Sequence, residues 1–256
     1  MSEPKLNGKV ALVAGGAKNL GGQLSRQLAA LGARVAVHYN SDSSRADADA
    51  TVAAIKAGGG DAFALQADLT RVAEVERVFA ETVKHFGGLD IAINTAGLVL
   101  KKPITEVTED DYDRSFDINS KAAFFFLREA GKHVRDGGRI CTIVTSLLGA
   151  FTGYYAAYAG SKAPVEHFTR AASKEFGARG ISVTAVGPGP MDTPFFYGQE
   201  SAEAVAYHSN AADLSRYSST GLTDVKDIVP IVIFLVTDGW WITGQTILAN
   251  GGYTTK

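Results

Sequence analysis

The 256-residue chain carries 25 basic and 27 acidic residues for a formal charge of -2, and its 46% hydrophobic content is enough to fill a substantial core. The charges are dispersed with no basic block to match a phosphate backbone, so nucleic acid is not an expected partner. A single cysteine, Cys141, excludes an internal disulfide, and no apolar run approaches the ~20 residues of a membrane span. With a polar Met1 to Lys9 segment that has no leader pattern, a cytoplasmic location and no membrane partner are expected.

The first predicted strand, residues 10–14, is apolar throughout and runs into Gly15-Gly16-Ala17-Lys18-Asn19-Leu20-Gly21-Gly22. A helix over 20–31 follows and stops at Gly32. A second strand, 34–38, ends in His38-Tyr39-Asn40-Ser41 and leads to a helix over 44–57. The third strand, 61–66, is followed by Asp68-Leu69 and a helix over 72–86 that Gly87 closes. After the fourth, 91–94, come Asn94-Thr95-Ala96-Gly97 and one long helix over 109–134. Thr108, with Glu109, Asp110 and Asp111, places acceptors at that helix N-terminus, and Gly137 is read as its C-terminal stop. The fifth strand, 139–145, buries Cys141 as a small hydrophobe and ends in Thr145-Ser146.

A helix over 155–178 then carries Tyr158 and Lys162 and ends before Gly180. Strand 182–186, an aperiodic stretch over 188–222, a helix over 225–236 and strand 246–249 complete the chain. Strands that are apolar throughout are covered on both faces, so the alternation reads as βαβ units. The expected fold is α/β: a doubly wound, Rossmann-type three-layer sandwich around a central parallel sheet of about seven strands. No repeat or linker divides it, so residues 1–256 read as one domain, with 188–222 as a substrate-binding loop or lid.

Two sites carry chemistry. Glycines between a strand and a helix let the backbone approach a pyrophosphate seated on the helix N-terminus, although an ordinary tight turn would use the same residues. Tyr158 and Lys162, four apart on a helix, share one face, and a neighbouring ammonium favours the phenolate of a group whose free pKa is about 10. A packing tyrosine is the plain alternative. No metal site is expected.

The glycine-rich turn resembles the TGxxxGxG turn of the short-chain dehydrogenase/reductase family. Gly15 and Gly21 match, while Ala14 replaces the Thr, removing a hydroxyl that would tie the turn to its neighbours, and Asn19 replaces the middle Gly. The resemblance runs from Gly8 to Gly252 and implies cofactor contacts at Gly15, Lys18, Asn19, Leu20 and Gly21. Tyr39 stands where NAD-preferring relatives carry an acid, with Asn40 and Ser41 beside it. That pattern, with the base at Lys18, implies NADP(H) in preference to NAD(H). Asp68 and Leu69 are similar to the adenine-flanking pair. Asn94, Ala96 and Gly97 match the NNAG motif except at Thr95, and Pro188, Gly189, Met191 and Thr193 match a PGxxxT segment that holds the nicotinamide amide.

For catalysis the resemblance implies Asn119, Ser146, Tyr158 and Lys162. Ser146 fits the SxxG spacing with Gly149, but the interval to Tyr158 is one residue short, so a share for Thr145 stays open. The implied reaction is hydride transfer between the nicotinamide and a carbonyl or secondary alcohol, with Tyr158 moving the proton. Ser146 would steady the oxygen, Asn119 would complete a proton path, and Lys162 would lower the Tyr158 pKa and bind the ribose. A catalytically silent dinucleotide sensor and a nucleotide-sugar epimerase or dehydratase are the rival readings. Tyr154, Tyr155, Phe195, Phe196, Tyr197, Tyr207 and His208 are expected to wall the pocket. A 3-oxoacyl thioester, a steroid, a quinone and a small ketone all remain open as substrates. Pairing of helices 109–134 and 155–178 implies a homotetramer or homodimer.

Overall fold

The strands are β1 (Val10–Ala14), β2 (Arg34–Tyr39), β3 (Ala62–Gln66), β4 (Leu89–Asn94), β5 (Val134–Ile143), β6 (Ser182–Pro188) and β7 (Thr246–Ala249). In this computed structural model, which describes residues 5–150 and 152–255, they form one all-parallel sheet in the order β3-β2-β1-β4-β5-β6-β7. The first four residues of the polar N-terminal segment lie outside the described residues. Between the strands run α1 (Asn19–Ala30), α2 (Arg45–Ala57), α3 (Val72–Phe86), α4 (Glu109–Phe116), α5 (Ala122–His133), α6 (Ala156–Phe176), α7 (Pro194–Tyr197), α8 (Ala202–Ala211) and α9 (Val225–Val236).

Successive side chains of β1 go to opposite faces, and both faces are covered. Ala11 and Val13 join a core with Leu24 and Leu28 of α1 and Val232 and Leu235 of α9. Val10 and Leu12 join another with Phe79 of α3 and Phe126 of α5, whose rings meet edge to face at 5.0 Å. Truncating either ring to alanine removes a buried aromatic, a loss of about 3–5 kcal/mol. Among the described residues no helix is long and apolar enough to cross a membrane.

Two expectations about the middle of the chain change. The single helix over 109–134 is interrupted: α4 starts at a Thr108 capping box with Asp111, then residues Asp117–Lys121 form a π-turn before α5 resumes. The turn carries Asn119, whose side-chain bonds to neighbouring elements hold it inward. Gly137 does not cap a helix. α5 ends at His133, the next residue is already extended in β5, and the register slips between Leu89↔Val134 and Ile91↔Arg139. Gly137, at φ +76°, lies in that irregular stretch. Gly32, Gly87 and Gly180 do follow helical turns with positive φ.

The strand order reverses between β1 and β4, which leaves a crevice beyond their carboxyl ends. The stretch after β6, expected to be irregular, contains α7 and α8 and reaches back over this end, bonding Lys101, Tyr155 and Tyr253.

Candidate functional site

A cavity of about 640 Å³ runs from the glycine-rich turn to Ser146 and Tyr158. At its first end the turn is too tight for side chains. A Cβ on Gly21 would stand 2.1 Å from the Gly15 carbonyl oxygen, and one on Gly15, at φ +70°, would stand 2.7 Å from Thr95 Oγ1. Asn19 sits at φ +48°, a left-handed angle that asparagine tolerates. The hydroxyl missing at Ala14 is supplied from the next strand: Thr95 Oγ1 donates to the Ala14 carbonyl at 2.8 Å. The Gly15 amide donates to His38 Nδ1 at 3.0 Å, so the ring proton sits on Nε2, which donates to the Ala67 carbonyl at 2.9 Å.

Burial lowers the His38 pKa from 6.5 to about 4. The unfolded chain therefore takes up this proton first, so the stability that neutral His38 contributes is complete above pH 6.5 and is lost as pH falls towards 4. Acidification through that interval is expected to cost about 3 kcal/mol from this group, read as a falling melting temperature. His38→Gln should flatten the profile, and an unchanged pH slope in that variant would rule the mechanism out.

At the end of β2, Tyr39 is buried with its hydroxyl 3.5 Å from Gln66 Oε1 and the Arg45 guanidinium over its ring. Asn40 is exposed and lines the cavity with Lys18, whose ammonium pairs with Asp47 at 2.9 Å. No carboxylate from β2 or the residues directly after it lines this end. Asp68 Oδ1 accepts from the amide and hydroxyl of Thr70, and Leu69 is buried beside it.

The other end is built by β5, α6 and the π-turn. Tyr158 and Lys162 are both buried on α6. Lys162 Nζ donates to the Ile143 carbonyl at 3.0 Å. Asn119 Oδ1 accepts from the Leu98 amide at 3.0 Å, and Nδ2 donates to the Leu98 carbonyl and to Ser161 Oγ, tying the loop after β4 to α6. Gly97 must be bare here: a Cβ would lie 2.9 Å from Asn119 Oδ1 and 3.0 Å from Lys162 Nζ. Ser146 Oγ donates to the Gly187 carbonyl at 2.9 Å, while Thr145 Oγ1 accepts from the Leu147 amide at 3.2 Å. Burial pushes the phenol up to about 12 against the small lowering from Thr145, and burial brings Lys162 down to about 8. Burial, opposed by Thr145, sets the direction of the Tyr158 shift, and the Lys162 ammonium is not among its causes.

The model of a family described as Enoyl-(Acyl carrier protein) reductase matches residues 15–254. The chain is 39% identical over 260 residues to hydroxynaphthalene reductase-like protein Arp2 of Metarhizium brunneum, covering 98% of this chain and 96% of the relative. A putative dehydrogenase from Burkholderia cenocepacia, solved with bound NADP, is 65% identical with a TM-score of 0.97, covering 100% of this chain and 97% of that one. The angucycline C-6 ketoreductase LanV, also with bound NADP, is 31% identical with a TM-score of 0.89 over 97% and 96% of the two chains. The chain belongs to the short-chain dehydrogenase/reductase family. It is an enzyme of the class that interconverts CH–OH and C=O.

In this short-chain dehydrogenase/reductase the cavity lining takes in Gly15, Lys18, Asn19, Leu20, Gly21, Tyr39, Asn40, Asp68, Leu69, Ala96, Gly97, Ser146, Tyr158, Lys162, Pro188, Gly189, Met191 and Thr193. Ser41, Asn94 and Asn119 stand behind it. Ser41 Oγ meets Ser43, and Asn94 Oδ1 takes the Ala96 amide. Of the aromatic wall, Tyr155, Phe195, Phe196 and His208 line the cavity; Tyr154, Tyr197 and Tyr207 are exposed. His38, Thr95, Glu200 and Tyr253 also line it and were not singled out from the sequence. The position of His38 one residue before Tyr39 was a usable signal for it. For Glu200 and Tyr253 no local pattern exists.

Proposed function

We propose that this enzyme is an NADP(H)-dependent ketoreductase. The observation that carries the reading is the single cavity joining the glycine-rich turn to a buried, protonated phenol at Tyr158. A dinucleotide fits the lining. Bare glycines cradle a pyrophosphate at the N-terminus of α1, and Lys18 and Asn40 with no β2 carboxylate suit a 2′-phosphate. The two similar structures that hold NADP support the same choice.

When bound, the nicotinamide supplies the hydride. Gly15, Lys18, Asn19, Leu20 and Gly21 would hold the phosphates, Asp68 and Leu69 the adenine, and Ala96, Gly97, Pro188, Gly189, Met191 and Thr193 the nicotinamide half. Tyr158 holds the proton delivered to the substrate oxygen, and a pKa of about 12 keeps it protonated at neutral pH, as carbonyl reduction needs. Ser146 and Thr145 orient that oxygen, Lys162 holds the ribose, and Asn119 positions α6 and the loop after β4. Residues 188–222 form the substrate loop of a single unit. Steady oxidation of NADPH with a panel of aromatic and aliphatic ketones tests the reading; binding of NADPH without turnover of any of them would favour the sensor instead.

NADPH is expected to bind more tightly than NADH. Because Tyr39 is buried and Asn40 exposed, Asn40→Asp is the substitution that should shift preference towards NADH, by about tenfold, the scale of one charge-assisted hydrogen bond. Titrating both dinucleotides checks this, and equal or tighter binding of NADH by the native enzyme would withdraw the NADP assignment.

The α5 run places Phe124 in solvent while Ala122, Ala123 and Phe126 are core. A homodimer or homotetramer paired through α4, α5 and α6 would cover Phe124, and light scattering reads the assembly.

A further inference from the structure

The turn after β5 carries Ser146 and closes at Gly149, whose φ of -111° is open to any residue. Space, not backbone angle, keeps Gly149 bare: a Cβ there would lie 3.1 Å from Leu248 Cδ1 and 3.2 Å from Thr254 Oγ1. The segment after β7, residues 250–254, therefore sits directly on the Ser146 turn. It also bonds to it. The Ser146 carbonyl accepts from the Gly149 amide at 2.9 Å and from Thr254 Oγ1 at 3.3 Å, so both of its lone pairs are used.

Asn250 shapes the segment for this contact. It is buried, its Nδ2 donates to Thr254 Oγ1 at 3.0 Å and to the Thr254 carbonyl at 3.1 Å, and its Oδ1 accepts from the Gly252 amide. Gly251 and Gly252, at φ +62° and +84°, make the tight reversal that these bonds need. Between them and Thr254, the Tyr253 hydroxyl meets His208 Nδ1 of α8 at 3.0 Å, and both side chains line the cavity. One short segment thus grips the Ser146 turn on one side and α8 on the other. The Ser146 hydroxyl is a single rotatable bond from the backbone, so a tilt of the turn moves it, and a misplacement of about 1 Å at a reacting centre can cost on the order of 10²-fold in rate.

We propose that residues 250–254 form a brace that fixes the Ser146 turn relative to α8, with Thr254 as the positioning residue for Ser146 and Tyr253 as the positioning residue for α8. This rests on the ketoreductase reading above and adds to it the residues that hold Ser146 in place.

Thr254→Val keeps the side-chain shape and removes the donor. With NADPH and any ketone the native enzyme reduces, kcat should fall about tenfold, the scale of one hydrogen bond, while KM, NADPH affinity and melting temperature stay near native. Thr254→Ser should restore kcat. Tyr253→Phe should instead raise the KM for the ketone about fivefold with kcat retained. A native kcat in Thr254→Val, a loss that Thr254→Ser does not restore, or a native KM in Tyr253→Phe overturns the proposal. Amide hydrogen exchange reads the brace without turnover: the Leu148 and Gly149 amides should exchange about tenfold faster in Thr254→Val only, and the α8 amides faster in Tyr253→Phe only. If the native protein reduces no ketone but exchange changes in this pattern, the brace stands and the ketoreductase assignment falls. If ketones are reduced and exchange is unchanged in both variants, the assignment stands and the brace falls; unchanged exchange without turnover removes both.

Discussion

Replacing Tyr158 with Phe is expected to lower kcat by roughly 10²- to 10⁴-fold, the range that a positioned acid or base contributes, with any carbonyl compound the native enzyme reduces. The substitution removes one oxygen from a side chain buried on α6 and leaves the ring in place. The hydroxyl that is lost is the group that burial holds protonated, its pKa pushed up to about 12. Packing of α6 on β5 and β6 should persist, so melting temperature and NADPH affinity are expected to stay close to native. Lys162→Ala should differ: its ammonium sits on the Ile143 carbonyl and beside Gly97, so cofactor affinity and turnover should both fall. Native turnover in Tyr158→Phe, with NADPH still bound, would remove the proton-transfer role.

The second large effect is expected from a single methyl group. In Gly21→Ala the new Cβ would start 2.1 Å from the Gly15 carbonyl oxygen and 2.7 Å from Thr95 Oγ1, so the turn must withdraw by roughly an ångström. That turn has little freedom to move, because His38 holds the Gly15 amide and Thr95 holds the Ala14 carbonyl. Overpacking of this kind costs about 1–3 kcal/mol, and the displaced amides no longer converge where a pyrophosphate would sit. The dissociation constant for NADPH is expected to rise by on the order of 10²-fold, with a lower melting temperature. Gly177→Ala is the control: its Cβ meets nothing within 4 Å and its φ is -59°, so it should leave stability unchanged or slightly higher. Undiminished NADPH affinity in Gly21→Ala would mean that the turn is not the phosphate cradle.

The sequence by itself determined the elements and the chemistry that is local to them. Apolar runs at 10–14 and 91–94 could only be strands covered on both sides, and the core of the structure is built on them. Tyr158 and Lys162 share a helix face by their spacing alone, and the glycines between β1 and α1 announced a tight turn before any partner was known. The tertiary structure decided what depends on residues far apart in the chain. A helical period continues through residues 109–134, but the bonds from Asn119 to Leu98 and Ser161 favour a π-turn there. The hydroxyl absent at Ala14 is replaced by that of Thr95, 81 residues on. Burial sets the direction of the Tyr158 pKa shift, and spacing does not report the depth of burial. Glu200 meets Lys101 and Tyr155 only because the stretch after β6 folds back over the sheet. Periodicity and spacing record interactions within a few residues, whereas burial and the partners of a polar group are set by packing between elements.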